Sequence, residues 1–182
     1  MKRYKLLTAV LDVGFKILAI GVAFLSIIVV ISTFTKKINL GKIEDFNMLN
    51  ESFAVISFVS TIDNGKDYSV SMKIIYLIVM LMSALLLVAI FWLTSKIFQD
   101  LKKDFKPFKS VQVMRLHKIA VLVLCYAIAP QIMLSLLKTI ILPGYSFEFG
   151  IDMTLFLAFI FFCLTEVMRH GVELQIESDE TL

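Results

Sequence analysis

The sequence predicts an all-α integral membrane protein, a four-helix bundle carrying a small extracytoplasmic β-hairpin. Of its 182 residues 59% are hydrophobic, against roughly 45–50% apolar residues in a soluble domain. The excess is gathered into four long runs, and the basic residues are distributed unevenly around them. The clustering carries the argument. A bilayer, with a hydrocarbon core about 30 Å thick, demands uninterrupted apolar stretches of about 20 residues that a soluble core does not need. The chain suits one compact membrane domain and is too short for a second sizeable one.

The first run, 9–34, contains Asp12 and Lys16 early and is then uncharged. It follows Lys2, Arg3 and Lys5, as a signal peptide would. It is longer than the roughly 7–15 residues of a signal core and no small-x-small cleavage site follows, so a retained signal-anchor helix is expected. The second run, 74–94, has no charge, and Tyr76 and Trp92 near its two ends suit the two membrane interfaces. The third, 119–142, is charge-free until Lys138, which can snorkel, and Pro143-Gly144 ends it. Pro130 in its middle removes an N–H and clashes with the carbonyl of Tyr126, so a kink is expected beside Gln131 and Ser135. The fourth, 153–168, is short and rich in phenylalanine, with Asp152 placed to cap it and Glu166 near its far end.

Orientation follows from Lys and Arg. With the N-terminus inside, the inner side holds twelve of the eighteen, seven of them in the loop 95–118. Short, strongly basic loops stay in the cytoplasm, so both termini are expected there, in a bacterial cytoplasmic membrane.

The outer segment 36–73 contains a β-branched and aromatic stretch, 53–62, then Asp63-Asn64-Gly65, then 68–72 with partial alternation. Asn-Gly supplies the positive φ angles of a tight turn, so a hairpin is expected, as a structural cap or as a sensing surface. The outer connection 143–152 is expected only to rejoin helices. In the basic loop, Ile97, Phe98, Leu101 and Phe105 share a helical face between lysines, so the second helix is expected to continue until near Lys106-Pro107. That stretch reads as an interfacial helix on anionic lipid or as a docking surface for an acidic partner. The tail 169–182 is acidic, with Glu173, Glu177, Asp179 and Glu180. It either folds back on the basic loop or engages a separate basic protein.

Five polar residues within or bordering the spans are candidate sites: Asp12, Lys16, Gln131, Glu166 and Arg169. Asp12 and Lys16 are spaced to pair at i, i+4, and Glu166 and Arg169 at i, i+3. All four lie at one membrane level and could form a polar cluster. Cys125 and Cys163 fall in apolar runs and form no CxxC pattern. His117 and His170 stand alone at helix boundaries, and HExxH, GxSxG and P-loop patterns are absent. No catalytic residue, metal ligand or cofactor is expected, and an enzyme is not.

The middle loop and tail resemble a bacterial family of small four-span membrane proteins catalogued as domain of unknown function 2975. The resemblance rests on Pro107-Phe108 with Arg115, and on Arg169-x-Gly171-x-Glu173-Leu174-Gln175-x-Glu177-x-Asp179-x-Thr181. The chain departs from the family in having Phe105-Lys106 where Gly is usual before Pro-Phe, and Glu180 after Asp179 where an apolar residue is usual. The resemblance implies a membrane protein that binds or signals to a small helix-turn-helix regulator, with Pro107, Phe108, Arg115, Gly171, Glu173, Leu174, Gln175, Glu177, Asp179 and Thr181 as candidate contacts. The bilayer is the other expected partner. No direct nucleic-acid binding is expected, and homo-oligomerisation stays open. The competing class is a transport-related or immunity-type protein whose bundle contacts a small molecule or peptide beside Pro130 and Gln131.

Overall fold

The computed structural model describes residues 2–35, 54–61, 68–103, 110–142 and 144–180. Along the chain run α1 (Lys2–Phe34), β1 (Ala54–Thr61), α2 (Ser69–Lys103), α3 (Ser110–Ile141), β2 (Gly144–Ile151) and α4 (Met153–Glu180). All four helices are long and apolar enough to cross a membrane. At about 1.5 Å per residue, the 33 residues of α1 exceed the hydrocarbon thickness, as the apolar run demanded. Large side chains such as Ile20, Phe24, Leu85 and Ile140 face outward at 62–76% exposure or close to it. Such a surface would drive aggregation in water and is at ease in lipid.

Each helix packs chiefly on its neighbour in sequence: α1 on α2, α2 on α3 and α3 on α4. In α3 33% of the most apolar window is buried, against 11% in α1 and in α4, so α3 is the spine of the bundle. Small residues set the close approaches, with Ala19, Ala120, Ala127 and Ala158 nearly inaccessible. Without a hydrophobic driving force between helices in lipid, such residues let backbones come close enough for dispersion to hold them. The central cluster is Ile119, Val123 and Ala158, backed by Ile90, Leu93, Ile97, Leu124 and Phe161. Phe15 stacks on Phe98 at 5.6 Å and meets Phe91 at 6.1 Å, fastening α1 to α2. Ile97 and Phe98, expected on an interfacial face, are thus used for internal packing.

The cross-helix contacts bring the start of α1, the end of α2, the start of α3 and the end of α4 together at one charged end. The opposite, sheet end differs from the sequence expectation. The hairpin does not form: of residues 68–72, taken as its second strand, 69–72 are the first turn of α2. Its Asp63-Asn64-Gly65 turn lies outside the described residues. β1 pairs instead, antiparallel, with β2, in a register running from Ala54↔Ile151 to Thr61↔Gly144. Residues 69–72 lead without a break into an apolar run, and helix propagation there outweighs a short strand pairing. The connection after α3, meanwhile, alternates Tyr145, Phe147 and Phe149 with Ser146 and Glu148, the period of a strand. Gly144 opens it at φ 149°, a backbone conformation that suits only glycine.

The other edge of β2 is bonded to α3 by side chains. Thr139, Ser135 and Gln131 stand at successive i, i−4 positions and meet Ser146, Glu148 and Gly150 in turn. Thr139 Oγ1 donates to Ser146 O (3.0 Å) and accepts from Ser146 N (3.2 Å). Ser135 Oγ does the same with Glu148 O and N, at 3.2 and 3.1 Å. Gln131 Nε2 donates to Gly150 O at 3.0 Å, and its Oε1 accepts from Gly150 N at 2.6 Å. The spacings match because four helical residues rise about 6 Å and two strand residues about 6.6 Å. Lys138, rather than snorkelling, pairs with Glu148 at 3.6 Å.

β2 therefore runs back alongside α3. Gly150 stands beside a residue ten positions before the end of α3, about 15 Å down that helix. Asp152 then caps α4, accepting from Leu155 N at 3.1 Å. This explains the shortness of the fourth apolar run, since strand backbone covers part of the depth. At that depth in a bilayer every backbone group must be bonded internally, and β2 is bonded on both edges. α3 itself runs helically through the buried Pro130.

Candidate interaction site at the charged end

The charged end is built from residues that mark where the apolar runs stop. On α1, Asp12 is buried, and its carboxylate accepts from Ser95 Oγ on α2 at 2.6 Å and from Lys16 Nζ at 3.0 Å. The i, i+4 pairing read from sequence is present, and the bond to Ser95 adds a partner from the next helix. An ionised group within a span is tolerated only when paired in this way. Among the described residues no bond joins Asp12 or Lys16 to Glu166 or Arg169. The latter two pair with each other on α4 at 3.1 Å, both well exposed. The expected four-residue cluster is thus two separate pairs, because α2 and α3 stand between α1 and α4.

Arg115 on α3 reaches back to α2, donating through Nη1 to Asp100 Oδ2 at 2.6 Å and to Lys96 O at 3.1 Å. This clamp joins the two helices that flank the basic loop. It ties one of the candidate contacts into the fold. Gln131 lies away from this end, about two-thirds of the way along α3, with both ends of its amide bonded to Gly150. Pro107, Phe108 and Thr181 lie outside the described residues, and nothing is described of the Asp179 side chain.

Between α3 and α4 an open cleft of about 360 Å³ is lined by Ser110, Val113, Met114, His117, Arg169, Val172 and Glu173. His117, on the α3 side of the cleft, packs edge-on against Phe162 of α4 at 5.6 Å. Glu173 also accepts from His170, whose Nδ1 lies 3.2 Å away. The sequence pointed to the boundary histidines singly; only the packing of α3 on α4 places His117 in one cleft with Arg169 and Glu173.

The tail from Arg169 is the continuation of α4, helical to Glu180. Since Ser110 shares the cleft with Val172 and Glu173, residues 174–180 extend past the first residue of α3. On this extension Leu174 and Ile176 are 55% and 51% exposed beside Glu177 and Glu180. Gly171 and Gln175 are half-buried. Among the described residues no group of three or more His, Cys, Asp and Glu is placed to hold a metal ion.

Residues 57–182 match the model of a family described as "Protein of unknown function (DUF2975)". The matched stretch takes in α2, α3, β2 and α4 and leaves α1 outside. No curated protein and no solved structure gave a significant match. With well over half of its residues matched, including the α3–α4 cleft and the acidic extension of α4, the chain belongs to the DUF2975 family.

Proposed function

We propose that this chain is a non-enzymatic protein of a bacterial cytoplasmic membrane that docks a basic cytoplasmic protein on the helical extension of α4. The observation that carries the reading is the pairing of exposed Leu174 and Ile176 with Glu173, Glu177 and Glu180 on a helix outlasting its neighbour. Leu174 and Ile176, two residues apart, offer apolar contacts on two sides of the exposed helix for a partner that wraps it, with acidic neighbours for orientation. The charged end carries most of the Lys and Arg residues, which supports placing it, with both termini, in the cytoplasm. The partner class that fits is a small helix-turn-helix regulator, since a DNA-binding domain is basic.

The competing reading, a bundle that contacts a small molecule or peptide beside Pro130, has less support. The amide of Gln131 is already committed to Gly150 on both sides. Capture of a small helix-turn-helix regulator of the Cro/C1 type would separate the two. The full chain in detergent should retain it, and Leu174→Ser with Ile176→Ser should not. Equal recovery by both forms would sink the docking reading.

A further inference from the structure

We propose that the cleft between α3 and α4 is a binding site for the headgroup of phosphatidylethanolamine. This does not rest on the docking reading. The cleft presents opposite charges on one wall: Arg169 and Glu173 are spaced i, i+4 on α4, and both line it. Their side chains begin about 5–6 Å apart. They do not satisfy each other, because Arg169 bonds Glu166 and Glu173 bonds His170. Each keeps capacity to spare, since a guanidinium has five N–H donors and a carboxylate about four acceptor sites. The ligand that answers such a wall carries an anion and a primary ammonium a few ångströms apart. A phosphate would meet Arg169, with the Ser110 hydroxyl and the His117 ring as further donors on the facing helix. An ammonium would meet Glu173.

Location selects a lipid over a soluble zwitterion. The charged wall begins where the apolar run of α4 ends, at Met168, between two helices that are long and apolar enough to cross a membrane. Met114 supplies an apolar flank within the cleft. Residues seven and fourteen apart share a helix face, so Val121 continues the Met114 face of α3 and Phe159 the Glu173 face of α4. Both are open, at 39% and 55% exposure. An acyl chain leaving the headgroup therefore has an apolar track to follow toward the middle of the bundle.

The test is native mass spectrometry of the full chain in detergent, offered equal amounts of phosphatidylethanolamine, phosphatidylglycerol and phosphatidylcholine with the same acyl chains. Phosphatidylethanolamine should be retained about threefold to fivefold over the other two, the selectivity that one partly exposed ion pair supplies. Glu173→Gln should erase that preference, and Arg169→Gln should lower retention of all three lipids. Glu177→Gln, the same charge change one turn outside the cleft, should leave the preference intact, as should Leu174→Ser with Ile176→Ser. Equal retention of the three lipids, or a preference that survives Glu173→Gln, overturns the proposal. So does a preference lost equally in Glu177→Gln.

Discussion

Gln131 and Gly150 are joined by a reciprocal pair of hydrogen bonds, Gly150 N–H to Gln131 Oε1 at 2.6 Å and Gln131 Nε2 to Gly150 O at 3.0 Å. The glutamine amide thereby acts as the next strand would, offering one acceptor and one donor to an open edge. Ser135 and Thr139 repeat the arrangement with a hydroxyl serving as both donor and acceptor. Gln131→Leu keeps the volume near constant and removes both bonds to a buried glycine. It should destabilise the fold by about 1–2 kcal/mol, a range set by unsatisfied buried amides and by hydrogen bonds measured in membranes. Hydrogen exchange across 144–151 should accelerate by about tenfold, since about 1.4 kcal/mol of local stability is one decade. Unchanged exchange there would remove Gln131 from the account of how β2 is held.

The pairing of β1 with β2 makes a geometric prediction that separates it from the hairpin. Val59 is the partner of Ser146, and directly opposed Cα atoms in an antiparallel pair lie about 4.5–5.5 Å apart, within disulfide reach. In a background without Cys125 and Cys163, Val59→Cys with Ser146→Cys should cross-link under mild oxidation. Val59→Cys with Val70→Cys, the pair that a tight turn at Asn64-Gly65 would oppose, should stay reduced. The reverse pattern on a mobility-shift gel would restore the hairpin.

Ser95 gives the Asp12 carboxylate its bond from the second helix. Ser95→Ala leaves Lys16 as the bonded partner of a carboxylate that is only 9% exposed. A loss of about 1 kcal/mol is expected, because one acceptor site of a buried charge goes unmet. Detergent-denaturant titration of Ser95→Ala, Asp12→Ala and the double variant would measure the coupling. Strict additivity would show that the two side chains do not depend on each other.

Arg115 and Asp100 are partly exposed, at 25% and 38%, so the pair itself contributes modestly, about 0.5–1 kcal/mol. Its geometry is more demanding than its energy. One guanidinium nitrogen serves both Asp100 and the Lys96 carbonyl, and a lysine ammonium reproduces neither the reach nor the planarity. Arg115→Lys should therefore lose most of what Arg115→Ala loses in thermal stability. Full retention in Arg115→Lys would reduce the clamp to a simple charge effect.

The residues of the charged end were legible one at a time. Asp12 with Lys16, Glu166 with Arg169, and the acidic tail are short-range patterns, and the structure contains both pairs. What was not legible was which helix each would face. Asp12 could be expected to meet α4 until the packing order put α2 beside α1 and α3 beside α4. The cleft containing His117, Arg169 and Glu173 belongs to the same class, since it exists only where α3 lies against α4.

The sequence by itself determined four helices long and apolar enough to cross a membrane, because an apolar run of sufficient length is a one-dimensional property that a bilayer selects directly. It also determined the cap at Asp152 and the stop at Pro143-Gly144, which are matters of local backbone chemistry. The tertiary structure alone decided the strand partner of β1 and the use of Thr139, Ser135 and Gln131 as a surrogate strand edge. Strand pairing is non-local, and the alternation in 144–151 names no partner. The near match between four helical residues and two strand residues becomes visible only when the strand is laid against the helix.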